Sequence, residues 1–466
     1  MNPTRAEFEK GIEEFGKSCA WTEVLADLET PVSAYWKIAF DSEYSFLLES
    51  VTGGESLARY SFLGTNPRKI IRTNNIDPLQ VLERELCAIR HIPEADLPPF
   101  VGGAVGFISY DAVRYFESLP DKNLNDLNCD DMAMMLCETV LAFDHARNRI
   151  LAITWSNNYE DAAQTLQEIV EKLRMPLPPL PVNSPRQIKF VSNMSRDAFE
   201  NSVRKTKDYI EAGDGVQMVI SQRFSGEVSS HPLTLYRALR SVNPSPYMYL
   251  LRFGDCDVIG ASPEALTTLR DGVARVRPIA GTRARGATVD EDELLEKQLL
   301  SDEKERAEHI MLVDLGRNDL GKVSKPGMVK VSELMEVEKY SHVMHIVSEV
   351  TAELRDDKNA FDLFRATFPA GTVSGAPKVR AMEIIDEFEP TRRGLYAGAI
   401  GHFGFNGETD SAIAIRTIYL KDGIAHVQAG AGIVYDSDPE SEYEECMNKA
   451  AAVIRAIEMA EGGEIE

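Results

Sequence analysis

Positive charge is scarce in this 466-residue chain: 50 lysines and arginines stand against 74 acidic residues, a formal net charge of −24. That balance argues against nucleic acid or an anionic membrane as partner, since both recruit proteins through excess positive charge. It says little about a small acidic substrate, which responds to the local field of a few basic residues. Cysteine is also sparse, and the six present (Cys19, Cys87, Cys129, Cys137, Cys256, Cys446) include no CxxC pair. Scattered thiols fit a reducing, cytoplasmic setting better than a disulfide framework or a zinc site. No apolar run is long enough to span a bilayer. The N-terminal MNPTRAEFEKGIEEF is charged and lacks the apolar centre of a signal peptide. Fixed-period repeats and low-complexity tracts are missing too. What remains is 44% hydrophobic and 27% charged, the balance of a soluble globular protein with length for one large or two ordinary domains.

Residues 1–174 mix short β-rich runs with helical ones. Residues 45–50 and 60–64 read as neighbouring strands joined at Thr52-Gly53-Gly54. The glycines of 100–110 suggest close backbone packing rather than a nucleotide loop. A break follows at 175–190, where Pro176, Pro178, Pro179, Pro181 and Pro185 favour an extended linker between 1–174 and 191–466. Beyond it the spacing predicts helices over 195–211, 232–239, 361–367 and 378–388. Strands are predicted over 217–224, 247–253 and 258–261. An antiparallel meander closes the chain: 395–403, an Asn406-Gly407 turn, 411–420, an Asp422-Gly423 turn and 424–435. Strict alternation in its middle strand sets Ile413, Ile415 and Thr417 on one face and Ala412, Ala414 and Arg416 on the other. Arg416 among small residues reads equally as a buried anion-binding arginine or a sheet-surface ion pair.

Two acidic stretches share a pattern. In 301–320 a helical run carries Glu305 and Glu308 three residues apart on one side, with Ile310, Val313 and Leu315 behind, and Leu315-Gly316-Arg317-Asn318-Asp319 is expected to end it. In 436–449, Ser437 or Asp438 can cap a helix with Pro439 in its first turn. There Glu442 and Glu445 are again three apart, with Lys449 one turn on. Each stretch alone reads as a solvated face. Facing one another, the two pairs would repel unless a cation lay between them. Oxygen ligands without cysteine or paired histidine favour Mg²⁺.

The remaining signals are individually weak. Residues 371–378 resemble a phosphate loop but put Ala376 and Pro377 where lysine and serine or threonine belong. They are left as a glycine turn feeding a helix N-terminus that suits any anion. Gly281-Thr282 and Gly430-Ala431-Gly432 are further places where backbone can approach a ligand. His342 and His345 lie three apart in a strand-like run, so at most one faces a given pocket.

In order along the chain, Arg277-Pro278-Ile279-Ala280-Gly281-Thr282-Arg283, the 301–320 block, FPAGTVSGAPK and DPESEYEECMNKA resemble the chorismate-utilising enzymes. The likeness is nearest to the large subunits of anthranilate synthases and runs from Leu47 to Lys449. It implies an α/β sandwich of two large, mainly antiparallel sheets flanked by helices. The implied activity is Mg²⁺-dependent amination of chorismate and loss of pyruvate, the first step of tryptophan biosynthesis. Glu308 and Glu445 would bind Mg²⁺ directly, and Glu305 and Glu442 through its waters. Glu264 would be the general acid and His345 would assist pyruvate loss. Thr372, Tyr396, Arg416, Lys449, Gly281, Thr282, Gly430 and Gly432 would hold substrate. Relatives that add water carry lysine where Gln217 stands, and aminodeoxychorismate synthases commonly carry lysine at Ala280. Both positions favour the anthranilate branch over that alternative. No cysteine sits in a glutaminase elbow, so a separate glutamine amidotransferase subunit is implied. Glu49, Ser50, Pro246, Tyr247 and Met248 resemble the family's pocket for tryptophan as inhibitor. A catalytically silent tryptophan-sensing subunit is the alternative of another class.

Overall fold

Alternating side chains decide the architecture. Phe46 and Phe62 turn to one face of their strands while Leu47 and Leu63 turn to the other, and the two sets belong to separate cores. In the computed structural model, Phe46 and Phe62 share a core with Phe107 and Met134 of a second sheet. Leu47 and Leu63 pack under helices. The structure describes residues 1–51, 59–86, 97–182, 184–340 and 343–465. The turn expected at Thr52-Gly53-Gly54, Cys87 and His342 lie outside them.

Among the described residues the first sheet has twelve strands. It runs Ser18–Leu25, Arg149–Ser156, Thr139–Asp144, Tyr60–Thr65, Tyr44–Glu49, Tyr247–Phe253, Cys256–Ser262, Thr417–Lys421, Ile424–Ile433, Gln217–Glu227 and Gly375–Ala376, with Val191–Ser192 beside Gln217–Glu227. The second, of ten, runs Ile279–Ala284, Val343–Glu353, Val273–Val276, Ala265–Arg270, Thr409–Ile413, Ala399–Gly404, Gly103–Ile108, Met132–Cys137 and Lys69–Thr73, with Lys330–Lys339 along Val343–Glu353. Pairing is antiparallel, and strands from either side of 175–190 share both sheets. Tyr44–Glu49 lies against Tyr247–Phe253 with Glu49 opposite Met248, and Gly103–Ile108 lies against Ala399–Gly404. The proline stretch is extended and held where Trp36 Nε1 donates to the carbonyls of Pro178 and Pro179.

Three expected elements differ. The acidic block is one helix, Glu303–Gly321, that passes through Leu315-Gly316-Arg317-Asn318-Asp319 instead of ending there. Gly316 serves packing: a Cβ there would lie 2.9 Å from Val276 Cγ2. The helix buries His309, Leu312, Val313 and Leu320, and leaves Ile310 48% exposed. The strand expected over 411–420 is two, Thr409–Ile413 in the second sheet and Thr417–Lys421 in the first. The chain changes sheets through Arg416, which takes a left-handed φ of 51°, so the two-residue alternation stops at Ile413. Leu395 and Tyr396 lie in a turn ahead of Ala399–Gly404, outside the strand. Both hairpin turns stand as expected, with Asp422 and Gly423 at φ 51° and 73°. Among the described residues no helix is long and apolar enough to cross a membrane. The five described cysteines are buried and unbridged.

Candidate functional site

Asp438 caps the helix Pro439–Glu461 by accepting from Ser441 N at 2.9 Å, and Asp302 caps Glu303–Gly321 by accepting from Lys304 N and Glu305 N. These caps start both helices so that Glu305 and Glu442 fall in the first turns, with Glu308 and Glu445 about one turn further on. Glu305 accepts from Arg283 Nη1 at 3.0 Å, and Glu308 accepts from Gln217 Nε2 at 2.8 Å. On the other helix Ser437 Oγ donates to buried Glu442 at 2.6 Å, and Glu445 pairs with Lys449 at 2.7 Å. Lys449 Nζ also donates to the Gly430 carbonyl at 3.2 Å.

The strand Gln217–Glu227 joins the two sides. It pairs with Ile424–Ile433, setting Val219 opposite Gly432 and Ser221 opposite Gly430, while Gln217 reaches across to Glu308. Lys304 on one helix carries charge felt by Glu442 on the other. Burial raises the carboxyls of Glu305 and Glu442, and in each the neighbouring glutamate, Glu308 or Glu445, adds to the rise. Among the described residues no three histidine, cysteine or acidic side chains stand close enough together to hold a metal ion. The donor set nevertheless suits a hard divalent cation: it is all carboxylate, and like-charge repulsion within each pair is what such an ion relieves.

Glu264 follows the strand Cys256–Ser262 and is fixed by its own backbone, whose carbonyl accepts from Ile413 N at 3.0 Å. Its side chain is 8% exposed and accepts from Thr372 Oγ1 at 3.0 Å. Burial pushes the carboxyl up to about 8, against the Thr372 bond and the charges of Arg416 and Lys449. His345 stands in Val343–Glu353 opposite Thr282, its Nδ1 3.0 Å from Thr282 Oγ1 and 3.2 Å from the Gly281 carbonyl. A carbonyl only accepts, so Nδ1 carries the proton in that contact and Nε2 keeps a lone pair. Burial lowers the pKa of His345, which favours the neutral ring. A Cβ on Gly281 would lie 3.2 Å from Glu305 Oε2, so the histidine and the first acidic helix adjoin.

Arg416, at the sheet crossover, acts on both Glu264 and His345 through its charge. The buried Tyr396 hydroxyl lies beside Gly430, 3.1 Å from where a Cβ would stand. Thus Glu305, Glu308, Glu442, Glu445, Lys449, Gly430, Gly432, Tyr396, Arg416, Glu264, Thr372, His345, Thr282 and Gly281 form one linked perimeter. Sequence reasoning missed the brace behind it. Arg393, fully buried, pairs with Glu389 at 2.7 Å and donates to the carbonyls of Val373 and Val219, and Glu389 also accepts from Ser221 N and Oγ. This pair ties the Thr372 turn to the strand of Gln217. Its only sequence signal is an i, i+4 Glu-Arg spacing, which ordinarily marks a surface pair.

Glu49, Ser50, Pro246, Tyr247 and Met248 all line a separate cavity of about 430 Å³ between the sheets. Glu49 is buried there, accepting from the Tyr236 hydroxyl and pairing with Arg240 at 3.2 Å. Arg270, His402 and Asp410 of the second sheet complete the wall, and the Tyr247 hydroxyl bonds to Asp410.

Residues 43–455 match the family described as chorismate binding enzyme. The chain is 48% identical to anthranilate synthase component 1 of Acetivibrio thermocellus, covering 95% of each, and 44% identical to that of Aquifex aeolicus, covering 100% of each. The solved structure of anthranilate synthase component I from Streptococcus pneumoniae is 39% identical and superposes with a TM-score of 0.79, over 92% of this chain and 98% of that one. The menaquinone-specific isochorismate synthase of Escherichia coli shares the fold at 19% identity, with a TM-score of 0.74 over 97% and 99% of the two chains.

Proposed function

The chain belongs to the chorismate-binding enzyme family, and from that premise we propose that it is the synthase subunit of an anthranilate synthase. In this reading it aminates chorismate with ammonia and eliminates pyruvate, and the anthranilate serves tryptophan synthesis. The observation that carries it is Glu264, a carboxyl that burial keeps protonated to about pH 8 within the field of Arg416 and Lys449. Its O–H supplies the proton that lets the C4 hydroxyl leave as water while ammonia adds at C2. Arg416 and Lys449 then stabilise the carboxylate left behind, and Thr372 holds it in place. Neutral His345, oriented by Gly281, is placed to take the ring proton released as pyruvate departs. Tyr396, Arg416, Thr282 and the backbone at Gly430 and Gly432 position the substrate's two carboxylates. Glu308 and Glu445, backed by Glu305 and Glu442, would hold Mg²⁺, which when bound supplies a Lewis acid for the ring carboxylate.

The ammonia comes from glutamine through a separate amidotransferase subunit. Burial raises the thiols of all five described cysteines, Cys256 to about 12 and Cys446 to about 11, which suits none to glutaminase chemistry. Tryptophan occupies the 430 Å³ cavity as feedback inhibitor, with the buried Glu49 carboxylate facing its ammonium group.

Product identification tests the reading. With chorismate, Mg²⁺ and an ammonium salt, the chain forms fluorescent anthranilate and pyruvate. An unaromatised aminated product would make it an aminodeoxychorismate synthase instead, and tryptophan binding without turnover would make it a sensing subunit.

A further inference from the structure

Gln217 is buried and reaches Glu308 on the first acidic helix. Its backbone is pinned at the start of its strand, where Gln217 pairs with Ala376 and Val216 N donates to the Ala376 carbonyl at 2.8 Å. Gly375 permits this approach, because a Cβ there would lie 2.1 Å from the Gln217 carbonyl oxygen. Its amide is accommodated in turn by Gly432, where a Cβ would lie 2.6 Å from Nε2. The two glycines make room for the residue, whose amide reaches Glu308. Because a carboxylate only accepts, the group 2.8 Å from Glu308 Oε1 is the amide N–H₂.

We infer that Gln217 is a positioning residue for Glu308. It fixes one carboxylate oxygen by donating Nε2–H and thereby presents the other to the divalent cation between the helices. The inference rests on the reading of Glu308 as a ligand of that cation. A neutral donor orients the carboxylate without cancelling its charge. Groups that hold a metal ligand in this way typically set roughly 10–100-fold of metal affinity.

The test is direct binding of Mn²⁺ to the full chain without chorismate, followed by loss of the free-ion paramagnetic resonance signal. Three variants are compared with the unsubstituted protein: Glu308→Gln, Gln217→Leu and Gln217→Asn, the last keeping an amide too short to reach Glu308. Circular dichroism and melting temperature confirm that each is folded. The expected result is loss of tight binding in Glu308→Gln and a weakening of about 10–100-fold in both Gln217 variants. Undiminished binding in the folded Gln217 variants, with Glu308→Gln impaired, overturns the inference and leaves the ligand reading standing. Undiminished binding in Glu308→Gln removes the ligand reading, and the inference with it.

Discussion

Burial keeps Glu264 protonated to about pH 8, while Arg416 and Lys449 favour its carboxylate. Glu264→Gln should therefore lower ammonia-dependent kcat by about 10²–10⁴ with little change in substrate binding. In the wild type the rate should fall above about pH 8 as the acid loses its proton, while the burial-lowered His345 puts the acidic limb below the ordinary imidazole range. The same shift has a stability consequence. Between the ordinary carboxyl value of 4.5 and about 8 the folded chain keeps a proton that the unfolded chain has released. The stabilisation is thus complete below about pH 4.5 and lost as pH rises to about 8. The melting temperature of Glu264→Gln minus that of the wild type should increase across this window, and a constant difference would contradict the burial argument. At the second cavity, Ser50→Phe should relieve tryptophan inhibition with little loss of catalysis. An unchanged inhibition curve would place the inhibitor elsewhere.

At the scale of elements, the buried Arg393–Glu389 pair holds the Thr372 turn against the strand of Gln217. Removing one partner, as in Arg393→Met, leaves a buried charge and should cost about 3–5 kcal/mol by denaturant unfolding. Gly316→Val on the helix Glu303–Gly321 should cost about 1–3 kcal/mol by overpacking against Val276. Elements whose signal is local were legible in the sequence: the capped helices at Ser195 and Asp438, and the hairpins at Asn406-Gly407 and Asp422-Gly423. The strand break at Arg416 was not, because the Ala-Ile alternation of 412–415 continues to its edge while the backbone there leaves the extended region. The continuous helix through Gly316 was missed for the opposite reason. Its glycine reads locally as a stop, and only the strand Val273–Val276 packed against it explains its place. Glu305, Glu308, Glu442 and Glu445 could be named from spacing and family likeness. Gln217 as the link between the two sides needed the pairing of Gln217–Glu227 with Ile424–Ile433.

Across the whole molecule, both sheets take strands from either side of 175–190, so neither part completes a core alone. Residues 191–466 expressed by themselves would leave Tyr247–Phe253 and Ala399–Gly404 with open edges and should aggregate, with recovery on co-expression of 1–182. This arrangement puts Glu49 and Met248, opposite one another across the two parts, in the wall of the 430 Å³ cavity. The same sheets bring a mid-chain helix and the C-terminal helix to one perimeter around Gln217. The measurement that bears most directly on this convergence is anthranilate fluorescence from chorismate and ammonium as Mg²⁺ is titrated, in the wild type and in folded Glu308→Gln and Glu445→Gln. The convergence predicts Mg²⁺-dependent fluorescence in the wild type and none in either variant. Undiminished anthranilate formation by either would contradict it.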